Sequence, residues 1–139
     1  MTTLDKIRFN LWDSVGTVIT LINRWSPGKC NTEKDYEQSF LRFLNKEIPE
    51  IKITPQFALG RAKADLLIGN KIIVEIKKDL MTTSKYNRLI GQLIRYNEWD
   101  RQVIVLLVGK TAPDLKLDLE KFRINSSFII SKKCTLIEK

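Results

Sequence analysis

The segment ADLLIGNKIIVEIKK, residues 64–78, has the apolar composition of a buried strand pair but carries charges inside it. Leu, Ile and Val dominate the segment, yet Asp65, Glu75 and Lys77 lie among them. Charged side chains are almost never fully buried unless they are paired. The fold of this segment therefore has to bring these charges together or to a partner of opposite charge.

Strand alternation predicts that the two carboxylates of this segment meet. Alternate residues of a strand share one face. A three-residue hairpin loop over residues 69–71 would pair Ile68 with Ile72, and the same register places Asp65 opposite Glu75. Their Cβ atoms would then lie about 5 Å apart. A two-residue loop would instead place the carboxylates on opposite faces of the sheet.

Two carboxylates held together need a compensating charge. At about 4 Å they repel each other by about 4 kcal/mol when the effective dielectric constant is about 20. Lys77, on the same face as Glu75, could compensate in a structural ion cluster. The alternative is a divalent cation with oxygen ligands, most simply Mg²⁺, for which the backbone carbonyl of Ile76 offers a further ligand.

The order Asp65, Glu75, Lys77, with nine residues between the acids and one before the lysine, resembles the signature of the PD-(D/E)xK nuclease superfamily. The resemblance covers residues 31–108 and departs from the family where Ala64 replaces the Pro expected before the Asp. It implies an α/β fold with a restriction-endonuclease-like mixed β-sheet core, in the order αβββαβ, flanked by helices.

Periodicity and turn residues predict the elements around this core. We expect an amphipathic helix over residues 4–25, broken near Gly16, and a helix over residues 32–47 with Asn31 or Thr32 as its N-cap. Pro55 indicates an edge strand or a bulge within residues 51–59. The remaining expected elements are a helix at 85–99, a strand at 102–109 covered on both faces, a helix at 112–122 with Pro113 near its start, and strands at 127–131 and 134–138.

These elements predict one domain over residues 1–139. It would consist of an N-terminal helical extension at residues 1–25, a catalytic core at 31–108, and a C-terminal addition at 109–139 that holds a helix and strands. The N-terminal sequence lacks a signal-peptide pattern and no apolar run is long enough to cross a membrane, so we expect a cytoplasmic protein without membrane contact.

Two helical positions extend the resemblance. Family members often carry an acid on the first core helix that points at the metal, and here Glu37 shares the inward face of Phe40, Leu41 and Leu44. Glu33, one turn earlier, is the competing candidate, although an acid in the first turn of a helix is also favoured by the helix dipole. We favour Glu37.

The second position lies in RLIGQLIRYNEW, residues 88–99, where Gln92 interrupts an apolar helical stripe that also holds Tyr96. This resembles the QxxxY motif that follows the ExK strand in helicase-associated, CRISPR-associated and lambda-exonuclease-like members of the superfamily. The resemblance implies that Gln92 and Tyr96 hydrogen-bond near the metal site or to DNA. The alternative is a half-exposed Gln beside a core Tyr.

The composition narrows the chemistry available to such a site. The chain has no His, which excludes Ser-His and Cys-His catalysis and His-ligated zinc. Its two cysteines, Cys30 and Cys134, form no CxxC pair, which argues against a disulfide scaffold or a Cys-rich zinc site. Hydrolysis would have to use carboxylates, lysine and water with a hard metal ion.

The charge of the chain suits a polyanionic partner. The 24 Lys and Arg residues exceed the 16 Asp and Glu residues by 8. Solubility alone is the alternative explanation of this excess. The side chains that we expect to bind nucleic acid are Arg61, Lys63, Lys78, Lys85, Arg88 and Tyr96.

These expectations combine into a Mg²⁺-dependent deoxyribonuclease, in which Mn²⁺ can replace Mg²⁺. The expected metal ligands are Asp65, Glu75, Glu37 and the Ile76 carbonyl, and the expected catalytic residues are Glu37, Asp65, Glu75, Lys77 and Gln92. We prefer an endonuclease over an exonuclease and structure-directed or non-specific cleavage over sequence-specific cleavage, and we expect a homodimer where both strands of duplex DNA are cut. The alternatives are an inactive nucleic-acid-binding module of the same fold, and an interaction protein with a carboxylate-lysine ion cluster.

Overall fold

The structure is a computed structural model that describes residues 14–125 and 134–139. Its elements in chain order are α1 (Ser14–Arg24), α2 (Glu33–Glu47), β1 (Ile53–Leu59), β2 (Ala62–Ile68), β3 (Ile72–Leu80), α3 (Thr83–Tyr96), β4 (Gln102–Thr111), α4 (Pro113–Asn125) and β5 (Cys134–Glu138). The predicted order αβββαβ is confirmed from α2 to β4. The predicted strand at 127–131 and the first part of the predicted N-terminal helix lie outside the described residues.

The five strands form one mixed sheet in the order β1-β2-β3-β4-β5. The first three strands are antiparallel neighbours, because short loops join them. Strands β3 and β4 are parallel, and α3 supplies the crossover that a parallel pair needs. Strand β5 adds to the far edge, parallel to β4. The chain is therefore an α/β protein, as predicted.

The register of the β2–β3 hairpin is the predicted one. Ile68 pairs with Ile72 and Leu66 with Val74, so the loop has three residues. Its first two residues, at positions 69 and 70, both have a φ of 58°, a left-handed conformation that Gly adopts freely and Asn tolerates. The paired ladder ends at Leu66 and Val74, and the next residues on either strand are the two acids of the motif.

Helices cover both faces of the sheet and give the protein two apolar layers. Helices α1 and α2 pack on one face and α3 and α4 on the other. The apolar residues of β3 alternate between these layers as predicted, with Ile72, Val74 and Ile76 on the α1/α2 side and Ile73 on the α3/α4 side. Strand β4 is buried continuously over residues 103–108, as expected of a strand covered on both faces.

Local signals fix the ends of the helices and the position of the edge strand. Thr32 is the N-cap of α2 and forms a capping box with Asp35. Thr82 caps α3, which consequently begins two residues earlier than predicted and ends at Tyr96. Pro55 lies in the edge strand β1, where a missing N–H is tolerated. Among the described residues no helix is both long enough and apolar enough to span a membrane.

Candidate functional site

Asp65 lies where the central hairpin opens. Its Oδ2 atom accepts a hydrogen bond of 2.7 Å from the backbone N–H of Ile76 on β3. On its other side the register with β1 places it against Gln56, which has a φ of 50° and leaves the ladder. Ala64 packs in the α3/α4 layer and Leu66 in the α1/α2 layer, so the alternation of β2 changes at Asp65. The carboxylate thus lies where β2 and β3 separate, and it accepts the hydrogen bond from the N–H of Ile76 that a backbone carbonyl of β2 would otherwise accept.

Glu75 is buried among hydrogen-bond donors, with 1% of its surface exposed. The Tyr96 hydroxyl lies 2.6 Å from its Oε2 atom. Its Oε1 atom accepts a hydrogen bond of 3.2 Å from Nε2 of Gln92 and lies 3.4 Å from Nζ of Lys77. Burial raises the pKa of Glu75, and the charge of Lys77 and the bond from Tyr96 oppose that rise. The predicted proximity of Glu75, Lys77, Gln92 and Tyr96 is therefore present in the structure.

Lys77 lies between two carboxylates and is 9% exposed. Besides Glu75, its Nζ atom faces Oε1 of Glu33 at 3.9 Å. The other oxygen of Glu33 accepts a hydrogen bond of 3.3 Å from the backbone N–H of Lys78. Helix α2 therefore contacts the end of β3 through Glu33, its first residue. The ammonium group of Lys77 lies between the carboxylates of Glu33 and Glu75.

Glu37 takes a different position from Glu33. Its Oε1 atom accepts a hydrogen bond from Nε2 of Gln56, and its negative charge contributes to raising the pKa of Asp65. Glu33 and Glu37 both line a groove of about 510 Å³, which Lys63 borders from β2. Glu33 thus lies beside Lys77, whereas Glu37 lies on the Asp65 side of the site.

The pKa of Asp65 reflects both its burial and the negative charge around it. Its pKa is raised to about 8 by burial, then by the charge of Glu75 and, less strongly, by that of Glu37. The N–H of Ile76 and the charge of Lys77 oppose this rise only in part. A carboxylate that resists ionisation beside a second carboxylate is a place where a cation would relieve repulsion.

The oxygen donors suit a hard divalent cation, although they do not form a three-carboxylate cluster. In residues 14–125 and 134–139 no group of three or more Cys, Asp or Glu side chains is arranged to hold a metal ion. The candidate donors are the carboxylates of Asp65 and Glu75, which interact electrostatically, and the backbone carbonyl of Ile76, the residue whose N–H bonds to Asp65. Beside them, Oε1 of Gln92 is buried and has no hydrogen-bond partner among the described residues. Mg²⁺ binds through one or two carboxylates and keeps several waters, so this donor set fits it.

Comparison with known proteins gives a fold likeness. No protein-family model matches the chain, and no curated protein matches it. The chain is similar to the structure of SfsA of Pyrococcus furiosus in complex with Ca²⁺, with a TM-score of 0.50 and 12% sequence identity. The match covers 76% of this chain and 56% of that one, so this chain spans little more than half of that SfsA. At this identity the likeness shows the fold alone.

The predicted basic residues divide into two groups. Arg61, Lys63 and Arg88 are exposed, and their side chains have no hydrogen bond or ion pair with any described residue. In contrast, Nζ of Lys85 donates to the backbone carbonyl of Lys78, whose own Nζ pairs with the neighbouring Asp79. Three of the five basic side chains are therefore available to an anion, and two are used within the chain.

The structure changes the role of one predicted residue, Tyr96, and adds Gln56, which the sequence did not reveal. Tyr96 is 1% exposed and its hydroxyl contacts Glu75 and the carbonyl of Lys63, so it supports the site and presents no surface to nucleic acid. Gln56, which holds Glu37, was not among the predicted residues. No sequence signal marks Gln56, because its role depends on the left-handed backbone of an edge strand opposite Asp65.

Proposed function

We propose that the chain is a metal-dependent nuclease that hydrolyses phosphodiester bonds in DNA, with a restriction-endonuclease-like fold of the PD-(D/E)xK superfamily. The observation that carries this proposal is the convergence of Asp65, Glu75 and Lys77 where strands β2 and β3 separate. Lys77 alone leaves an excess of negative charge here, because the half-buried Asp65 and the buried Glu75 share this one lysine with Glu33 nearby.

Asp65, Glu75 and the carbonyl of Ile76 would hold Mg²⁺ or Mn²⁺, with Glu37 approaching from α2. When bound, the ion would polarise a phosphoryl oxygen and lower the pKa of a coordinated water. The orphaned Oε1 of Gln92 supports this assignment, because a buried acceptor without a donor costs about 1–3 kcal/mol unless something binds it. The structural neighbour SfsA was solved with Ca²⁺, another cation that prefers oxygen ligands.

The protein groups have separate roles in this proposal. Lys77 presents a buried positive charge beside Glu75, where it would position the attacking water and stabilise negative charge on the phosphorane. Tyr96 and Gln92 fix the carboxylate of Glu75 by two hydrogen bonds, and Glu33 steadies Lys77. Tyr96 and Gln92 are positioning residues, because both hydrogen-bond to the carboxylate of Glu75.

The proposed substrate is DNA recognised by its backbone. The exposed Arg61, Lys63 and Arg88 suit phosphate groups, which carry no base sequence. We therefore favour structure-directed or non-specific cleavage, and an endonuclease over an exonuclease. One site per chain would cut both strands of a duplex only in a homodimer, whose mass light scattering would report.

A cleavage assay tests the proposal. The purified chain should cut labelled plasmid and oligonucleotide DNA with Mg²⁺ or Mn²⁺ and stop in EDTA. Asp65→Asn and Lys77→Met should each reduce the rate by about 100-fold or more, the range of a lost metal ligand or positioned charge. Asp114→Asn, an exposed acid at the start of α4, is the matched control and should cut normally. Wild-type cleavage by Lys77→Met would contradict the proposal.

An inactive nucleic-acid-binding module is the second candidate. It is favoured by the absence, among the described residues, of a three-carboxylate cluster and by the ion pair between Lys77 and Glu75. Such a module would bind DNA with an affinity that falls steeply with salt, and would not cut it with any divalent cation. An interaction protein with an ion cluster would do neither.

A further inference from the structure

Gly91 lies in the middle of α3, where glycine is unfavourable for the helix. Its backbone does not have the positive φ that would require glycine, and a Cβ atom built there would have no described atom within 4 Å. Neither conformation nor packing within the described part of the chain explains this residue. The absence of a side chain would allow a close approach by a group other than the described residues.

Two arginines flank Gly91 on the same side of the helix. Arg88 precedes it by three residues and Arg95 follows by four, which places all three on one face. Both arginines are exposed, and neither side chain bonds to a described residue. At 1.5 Å per residue their Cα atoms are separated by about 10 Å along the helix axis. We call Arg88, Gly91 and Arg95 the α3 stripe.

The α3 stripe adjoins the candidate site. Gln92 directly follows Gly91 and hydrogen-bonds to Glu75 through its Nε2 atom. At the other end, Arg95 lines a cleft of about 480 Å³ together with Arg61 and Trp99, between α3 and the β1–β2 turn. Exposed arginines therefore extend along α3 from the turn that holds Gln92 to this cleft, which the exposed Glu98 also lines.

We propose that a nucleic-acid strand docks on the α3 stripe, with its sugar–phosphate backbone crossing Gly91 and its phosphates bound by Arg88 and Arg95. Charge complementarity favours this occupant, because two exposed guanidinium groups without a partner among the described residues suit two phosphates of one strand, and the chain carries a net charge of +8. The proposal rests on the proposed function for the identity of the polyanion.

Gly91→Ala separates docking from folding. The substitution should raise the thermal midpoint by a few degrees, about the shift expected from the better helix propensity of Ala, since no described atom obstructs the methyl group. It should nevertheless weaken binding of fluorescein-labelled duplex DNA, measured in EDTA, by about fivefold or more. Asn45→Ala, at an exposed position of α2, is the control that favours its helix without touching the stripe and should bind normally.

The arginines are tested against a pair of equal charge. Arg88→Ala with Arg95→Ala should weaken binding by about tenfold or more and reduce the salt slope by about 1.4–1.8, the value for two phosphate contacts. Arg42→Ala with Lys46→Ala removes the same charge from exposed positions of α2 and should have a clearly smaller effect.

Wild-type affinity in Gly91→Ala, or equal losses in the two double variants, would overturn the proposal. The proposal would also be overturned if the variants of the stripe kept their affinity for DNA and a protein partner were found to associate with this face. Cleavage with Mg²⁺ is measured separately on the same variants. A chain that binds through the stripe but never cuts DNA would refute the nuclease and leave the docking surface standing, whereas normal cleavage and binding by Gly91→Ala would refute only the docking surface.

Discussion

At the scale of single residues, the hydroxyl of Tyr96 lies 2.6 Å from Oε2 of Glu75, closer than the groups of Gln92 and Lys77 lie to Oε1. A carboxylate that is 1% exposed needs such donors, because an unpaired buried charge is strongly disfavoured. Hydrogen bonds to charged groups contribute about 1.5–3 kcal/mol each. Stability and the orientation of Glu75 should therefore both depend on this hydroxyl.

Tyr96→Phe should lower the free energy of unfolding by about 2 kcal/mol, because it removes a donor from a buried charge and leaves the ring packing in place. Urea denaturation measures this change. Tyr86→Phe is the matched control on the same helix, since no hydrogen bond of the Tyr86 hydroxyl is present among the described residues. Equal losses in the two variants would show that the bond to Glu75 contributes nothing specific.

Asp65 should make the metal-free protein less stable as pH rises. Its pKa is raised by burial and by Glu75, from 3.8 to about 8, so the folded state retains a proton that the unfolded chain releases in this range. Folding is therefore favoured at the acid end of that interval and loses stability as pH increases through it. In Asp65→Asn the loss should be smaller by at least about 1–2 kcal/mol between pH 5 and pH 9, since each shifted pKa unit corresponds to about 1.4 kcal/mol. Denaturation curves with EDTA at both pH values provide the measurement, and identical pH dependence in the two proteins would contradict the assignment.

The sequence was sufficient to predict the register of the β2–β3 hairpin, which brings Asp65 near Glu75, only because a hairpin is local. Once the loop length is fixed, strand alternation determines which side chains meet, and the observed register of Ile68 with Ile72 confirms that step. The positions of Glu33 and Glu37 depend instead on how α2 crosses the end of β3, which is a long-range contact. Periodicity on one helix could not determine that Glu33 would reach Lys77.

At the scale of elements, the end of β3 depends on a close contact with β4. The register of β3 with β4 shifts between Lys78 and Leu80, where Asp79 has a φ of 52°. The Oδ1 atom of Asp79 accepts a hydrogen bond of 2.8 Å from the backbone N–H of Lys110. Gly109 precedes that N–H with a φ of 72°, and a Cβ built on it would lie 2.3 Å from the same oxygen. This contact holds the two strand ends together just beyond Lys77.

Gly109→Ala should destabilise the fold more than Gly60→Ala does. Both glycines have a left-handed φ, but a Cβ at position 60 would meet no described atom within 4 Å, so the comparison isolates the clash with Asp79. We expect an additional loss of about 1–3 kcal/mol, the range for forced overpacking, in chemical denaturation. Similar losses for both variants would mean that Asp79 moves aside without cost.

Element boundaries show where the sequence was informative and where it was not. Capping residues fixed α2 at Thr32, because a cap acts within one turn of its helix. The predicted start of α3 missed the same signal at Thr82. No local sequence signal marks the irregularity at Asp79. Its positive φ goes with a hydrogen bond from Lys110 on the neighbouring strand, which is a long-range contact.

At the scale of the whole molecule, the mixed sheet brings both carboxylates to one place. The two antiparallel strands β1 and β2 lie on one side of β3 and the two parallel strands β4 and β5 on the other. The order of elements from α2 to β4 followed from periodicity, because each element has its own pattern. The position of β5, parallel to β4, could not be predicted in this way, because the sequence of β5 indicates a strand but not which strand it pairs with.

A bound cation should stabilise the whole chain through these residues. Added Mn²⁺ should raise the thermal midpoint of the wild type, because a ligand that binds only the folded state stabilises it by RT ln(1 + c/Kd), where c is the free ligand concentration. Asp114→Asn should show the same shift, and Asp65→Asn should show little or none. Differential scanning calorimetry is the measurement. A shift that survives in Asp65→Asn would place the cation elsewhere.

The most direct test of the proposed site is the anomalous difference density of a crystal grown or soaked with Mn²⁺. We predict a peak between Asp65 and Glu75, with oxygen atoms of both carboxylates at about 2 Å, the ligand distance of small divalent cations. A well-ordered site without such a peak, at a Mn²⁺ concentration that saturates the calorimetric shift, would contradict the assignment of these two residues as metal ligands.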